Sequence, residues 1–241
     1  MSRPSSEAAV VPAIEKDARW AGWMYLLMAV PAPFGLIYVP MKLVARGDAA
    51  RTAANILEHE TLFLAGIVAL LASAVIFLML GVALWHLLVA VDARLARLMV
   101  LFISVSVALE FAGEVVNLAA LTLFRGPDFL KVFDKPQLDA LGMLFIGMHQ
   151  HSLIVNQLFW GLWLLPLGAL VMRSGFLPRI LGILLIPNGV AYVVASMTAL
   201  FWPTHYNTVF LLLTPALLAE FCIMLWLLIK GAKRQSPALA G

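Results

Sequence analysis

Residues 106–117 read Ser-Val-Ala-Leu-Glu-Phe-Ala-Gly-Glu-Val-Val-Asn, inside an apolar run from Leu95 to Phe124. On a helix, side chains three and four apart are neighbours, so Ser106, Glu110, Glu114 and Asn117 share one face. The run is long enough to cross a hydrocarbon layer of about 30 Å at about 1.5 Å of rise per residue. Two carboxylates at that depth cost about 2.5–3.5 kcal/mol each on insertion scales. A chain that keeps them turns them inward, toward partners. The stretch therefore implies a membrane span and, on one side of it, an interior polar site.

The composition agrees with a membrane reading. Of 241 residues, 63% are hydrophobic and 12% charged, against roughly 45–50% and 25% in a soluble domain. The apolar residues come in long blocks. A transmembrane barrel would instead show alternating segments of about ten residues. The fold class is all-α, a six-span transmembrane helical bundle. The net charge of +3 is spread over the connections and gives no nucleic-acid surface. Cys222 is the lone cysteine and sits in an apolar run. It reads as packing, with no disulfide framework and no Cys-x-x-Cys chemistry.

The spacing predicts spans over 20–39, 62–91, 98–124, 140–172, 180–201 and 209–229. Residues 1–18 form a cytoplasmic tail, 19–232 the membrane domain and 233–241 a second cytoplasmic tail. Trp20, Trp23, Tyr25 and Tyr38 suit the interfacial belts of the first span, and Pro31 and Pro33 should kink it. Residues 48–59 form an amphipathic helix, with Ala53, Ile56 and Leu57 on one side, expected to lie on the membrane surface. Six spans leave both termini on one side. Of the 16 Lys and Arg, ten fall in segments on that side and six opposite, which makes the termini cytoplasmic.

Four consecutive spans carry polar groups at similar depth. Glu110 and Glu114 lie on the third. His149, Ser152 and Asn156 form a row on the fourth, Asn188 is mid-span on the fifth, and Glu220 is mid-span on the sixth. For Asn117, Ser152, Asn156, Gln157 and Asn188 the plainer reading is a hydrogen bond joining two helices. His86 reads as snorkelling near an interface, and His151 and His205 as interface or loop residues. Glu110, Glu114, His149 and Glu220 ask for more, because two carboxylates one helical turn apart and away from water do not both stay charged and unpaired. They share a proton, flank a divalent metal with His149 as third ligand, or take a basic partner such as His149 as imidazolium. A purely structural carboxyl pair is the bland alternative. The pocket candidates are Glu110, Glu114, Asn117, His149, Ser152, Asn156, Asn188 and Glu220. The metal candidates are Glu110, Glu114 and His149.

Ser174-Gly175-Phe176-Leu177-Pro178-Arg179-Ile180-Leu181-Gly182-Ile183-Leu184-Leu185 resembles a signature of a bacterial multi-pass membrane family known as a domain of unknown function. Glu220 followed by Leu225-Trp226-Leu227-Leu228-Ile229-Lys230-Gly231 is similar to its tail, and Gly47-Asp48-Ala49-Ala50, Thr52-Ala53 and Asn55-Ile56-Leu57 to an early stretch. The resemblance covers most of 18–232. It implies a bacterial inner-membrane protein and positions shared at His149 and Glu220, but it does not extend to Glu110 or Glu114, and it carries over no catalytic residue.

Three functional classes fit these residues. The leading one is a membrane protein with a mid-membrane polar pocket for a small molecule, lipid or cation. The second is a metal-dependent intramembrane hydrolase or lipid enzyme. The third is a non-catalytic subunit, working as a homo-oligomer or within a membrane complex. The lipid bilayer is a partner in all three.

Overall fold

The computed structural model describes residues 7–232. Among them there are helices and no strand. The described residues begin in α1 (Glu7–Ala29), so residues 7–18 of the segment expected as a tail are helix. The expectations for 1–6 and 233–241 lie outside the described residues. The later helices are α2 (Ala49–Glu58), α3 (Glu60–Leu88), α4 (Ala93–Arg125), α5 (Lys135–Leu162), α6 (Leu164–Arg173), α7 (Arg179–Phe201) and α8 (Tyr206–Ile229). Six segments are long and apolar enough to cross a membrane: Ile14–Leu43, Glu60–Leu88, Ala93–Arg125, Lys135–Arg173, Arg179–Phe201 and Pro203–Ile229. The helices extend past the expected spans by a few residues at most ends, because hydropathy marks the apolar part of a helix and not its caps.

The chain divides into two compact units. The first comprises Met1–Leu26, Ile76–Ser106 and Gln157–Gly241, the second Leu27–Val75 and Val107–Asn156.

In the second unit the expected kink takes a specific form. After α1 the helix resumes at Pro31–Pro33, widens into a π-helical turn over Phe34–Tyr38, and tightens again over Val39–Leu43. Proline removes backbone donors, and a wide turn with an extra residue is one way to absorb the break. The carbonyl of Met28, just before the break, accepts from Ser73 Oγ at 3.1 Å. Asp48 caps α2 by accepting from the Arg51 N–H at 2.9 Å. Ala53 and Ile56 of α2 are fully buried and join Val39, Leu43, Phe63, Ile67, Ala120, Leu121, Phe124 and Ile146 in one core. Asn55 donates to the Leu43 carbonyl at 3.2 Å, and Thr52 Oγ1 bonds both the N–H and the carbonyl of Ala45. The face of α2 that suggested a membrane-surface helix thus packs on this core. Its apolar face is spent on protein, and periodicity alone does not tell protein from lipid as the apolar phase. Asp134 and Gln137 start α5 as a reciprocal cap, each side chain accepting from the other's backbone N–H at 2.9 Å.

In the first unit the chain is held by close backbone approach. A Cβ on Gly182 would lie 2.5 Å from the Gly168 carbonyl, and one on Gly168 would lie 2.9 Å from the Gly182 carbonyl. Gly161 and Gly189 face each other in the same way. Small residues let membrane helices pack without a hydrophobic driving force. The 174–179 stretch between α6 and α7 is a turn. Ser174 Oγ donates to the Val171 carbonyl at 2.9 Å and accepts from the Leu177 N–H at 3.2 Å, and Gly175 takes a φ of 73°. Asp92 caps α4 through the N–H groups of Arg94 and Leu95 and also pairs with Arg173 at 3.1 Å.

Candidate functional site

The second unit assembles the residues that the 106–117 stretch singled out. Glu114, one turn beyond Glu110 on α4, is 1% exposed and His149 on α5 is 5% exposed. His149 Nε2 lies 3.0 Å from Glu114 Oε1, so the two share a proton across that contact. Asn117 donates from Nδ2 to Glu114 Oε2 at 3.0 Å. Asn156 donates from Nδ2 to Glu110 Oε2 at 2.8 Å. Ser152 turns its hydroxyl to the His149 carbonyl at 2.8 Å. Each carboxyl thus has its own amide donor, and only Glu114 has the imidazole.

The packing that allows this rests on Gly113. A Cβ at that position would lie 2.8 Å from Ser152 Oγ and 3.4 Å from His149 Cδ2. The glycine in the middle of Glu-x-x-x-Glu lets α5 bring its polar row against the carboxyls. The spacing of Gly113 between the glutamates was a visible signal for this, unused in the sequence reading. A cleft of about 30 Å³ reaches the network, with Asn117, His149 and Gln150 on its polar side and Gly35, Val39, Leu43 and Ile67 among its apolar walls. That volume exceeds the roughly 10–15 Å³ that a cavity needs to admit a water.

Among the described residues no group of three or more His, Cys, Asp or Glu side chains is placed to hold a metal ion. Glu114 and His149 meet, while Glu110 is turned to Asn156.

Asn188 and Glu220 come together in the first unit, around a partner that sequence reasoning assigned elsewhere. Tyr25 is 2% exposed and donates its hydroxyl to Glu220 Oε2 at 2.9 Å. This corrects its reading as an interfacial-belt residue; Trp20 and Trp23, both about half exposed, keep positions suited to that role. Asn188 donates from Nδ2 to Glu220 Oε1 at 3.3 Å, and the Tyr192 hydroxyl bonds the same carboxyl. Trp163, buried, packs on Tyr25 and edge-on to Phe77 at 6.1 and 5.3 Å between ring centroids. Tyr and Trp carry a polar tip on a large apolar body, which suits the interior of such a unit as well as an interface. Asn188 Oδ1 and Gln157 Oε1 are buried without a hydrogen-bond partner among the described residues. His86, His151, His205 and Cys222 are exposed, and His205 bonds Thr204.

A family model described as Domain of unknown function (DUF4386) matches residues 20–231. No curated protein and no solved structure matches the chain.

Proposed function

The chain belongs to the family of the domain of unknown function DUF4386, and for this multi-pass membrane protein we propose a binding role centred on Glu110, Glu114 and His149, with a proton or small cation as the bound species. The observation that carries the reading is the Glu114–His149 contact at 3.0 Å with a second carboxyl one helical turn away. The charge balance supplies the reason. With His149 as imidazolium, two ionised carboxylates still leave one negative charge. An uncompensated charge in a low-dielectric interior costs several kcal/mol or more. Asn156 offers Glu110 a hydrogen bond and no charge. A proton or cation therefore completes the site, and the cleft beside Asn117 and His149 gives it a way in.

The geometry gives less support to a hydrolytic metal, since Glu110 turns to Asn156 while Glu114 meets His149. The excess of Lys and Arg on the terminal side supports cytoplasmic termini, and the resemblance described above supports a bacterial inner membrane. The site is tested by thermal unfolding of the purified protein in detergent with a panel of monovalent inorganic ions and primary ammonium ions. At least one member should raise Tm in wild type and have no effect in Glu110→Gln. An ion effect that survives in Glu110→Gln overturns the proposal, and so does a panel without effect on wild type together with a pH dependence of Tm that is the same in wild type and Glu110→Gln.

A further inference from the structure

The first unit holds an open groove of about 400 Å³ that plays no part in either polar cluster. One side is α1, through Asp17 and Trp20. The other is the second half of α3, where Met79, Val82, Ala83 and His86 follow one another at i, i+3, i+4 and i+7, with Leu78 beside them. That spacing sets one stripe of a helix along the groove. From Leu78 to His86 the stripe rises about 12 Å at 1.5 Å per residue.

Polarity is graded along that length. Leu78, Met79 and Val82 are 38%, 47% and 47% exposed, and Trp20 is 52% exposed. These large apolar surfaces are uncovered, at positions that hydropathy places inside the membrane. Asp17 lies near the start of the first crossing segment and His86 near the end of the second, so both belong to the same membrane face. Neither side chain has a hydrogen bond or ion pair among the described residues. One end of the groove thus offers a carboxylate and an imidazole, and the rest offers hydrocarbon.

We propose that this groove is a binding site for one phospholipid with a zwitterionic headgroup bearing a primary ammonium. Asp17 accepts from the ammonium, the imidazole of His86 donates to the phosphate, and an acyl chain lies along Trp20, Val82, Met79 and Leu78. Charge complementarity selects this class. An anionic headgroup without an ammonium leaves Asp17 unpaired and repels it, and a cation without a chain leaves the stripe bare. Lipid is also the solvent these residues face, so the site fills by selection from the bilayer and not by transfer out of water.

The experiment is native mass spectrometry of the detergent-purified protein after addition of phosphatidylethanolamine and phosphatidylglycerol with identical chains. Wild type should retain the ethanolamine lipid at least threefold over the glycerol lipid. Asp17→Asn should abolish the preference, and Val82→Trp, which fills the groove, should lower retention of both lipids. Both positions are partly or largely exposed, and unchanged Tm in detergent without added lipid confirms that the variants fold. Equal retention of the two lipids by wild type, a preference for the glycerol lipid, or a preference that persists in Asp17→Asn overturns the inference.

Discussion

Gly113 shows how one missing side chain decides a site. Its Cα faces Ser152 and His149, and the space that a Cβ would take is already occupied. Gly113→Leu should therefore lower stability by about 1–3 kcal/mol, the usual cost of forcing atoms into a packed interior. Thermal unfolding in detergent checks this, and Ser152→Gly on the same background should recover part of the loss. In the other cluster, Tyr25→Phe removes the hydroxyl donor that lies 2.9 Å from Glu220 Oε2, and leaves that carboxyl with Asn188 and Tyr192. A loss of about 1–3 kcal/mol is expected. A cycle with Glu220→Gln should show the two changes to be non-additive, as partners in one network are. The carboxyls and His149 were legible in the sequence because a charge in an apolar run stands out against its neighbours. Tyr25 and Tyr192 were not. A tyrosine fits a membrane interface as well as a buried hydrogen bond, and only the fold decides which carboxyl it reaches.

Elements carry the next lesson. The helix Ala49–Glu58 was legible as amphipathic, with its Asp48 cap, yet its location was not. Protein and acyl chains are equally apolar to Ile56. With Ile56 fully buried, Ile56→Ala should cost about 2–5 kcal/mol, where a helix lying on lipid would lose far less stability. Equilibrium unfolding of that variant distinguishes the two. The junction before α4 makes a pH prediction. The N–H of Leu95, then that of Arg94 and the charges of Arg173 and Arg94, hold the Asp92 carboxyl below its usual 3.8. A lowered value in the folded state means stability that is present above the ordinary value and lost as pH falls through the folded one. Wild type should exceed Asp92→Asn in Tm at neutral pH, and the gap should close on acidification below about pH 4. Both side chains are solvated, so the gap will be small and will shrink in salt.

For the whole molecule, length and hydropathy were enough to count six crossings, because a hydrocarbon layer imposes one element and one minimum length. What joins the crossings was less visible. The Ser174–Arg179 stretch is a turn fixed by its own serine and a left-handed glycine, so its residues serve the architecture. Nothing in the sequence around the glycines at 161, 168, 182 and 189 tells that each faces a carbonyl of another helix. Gly182→Leu should push α7 away from α6 and lower the Tm of the purified protein more than the same change at exposed Gly175 raises or lowers it through backbone strain alone.

The widened turn at Phe34–Tyr38 has a consequence for how the first crossing tolerates changes in length. Dropping one residue from an ordinary helix swings everything after it through about 100°. A turn that already holds a surplus residue can surrender one and relax to standard winding, leaving both halves aimed as before. Excising Ile37, whose side chain is 57% exposed, should thus be borne where excising Met24 is not. Of that helix's whole length, this is the place where the chain can shorten without losing its bearings.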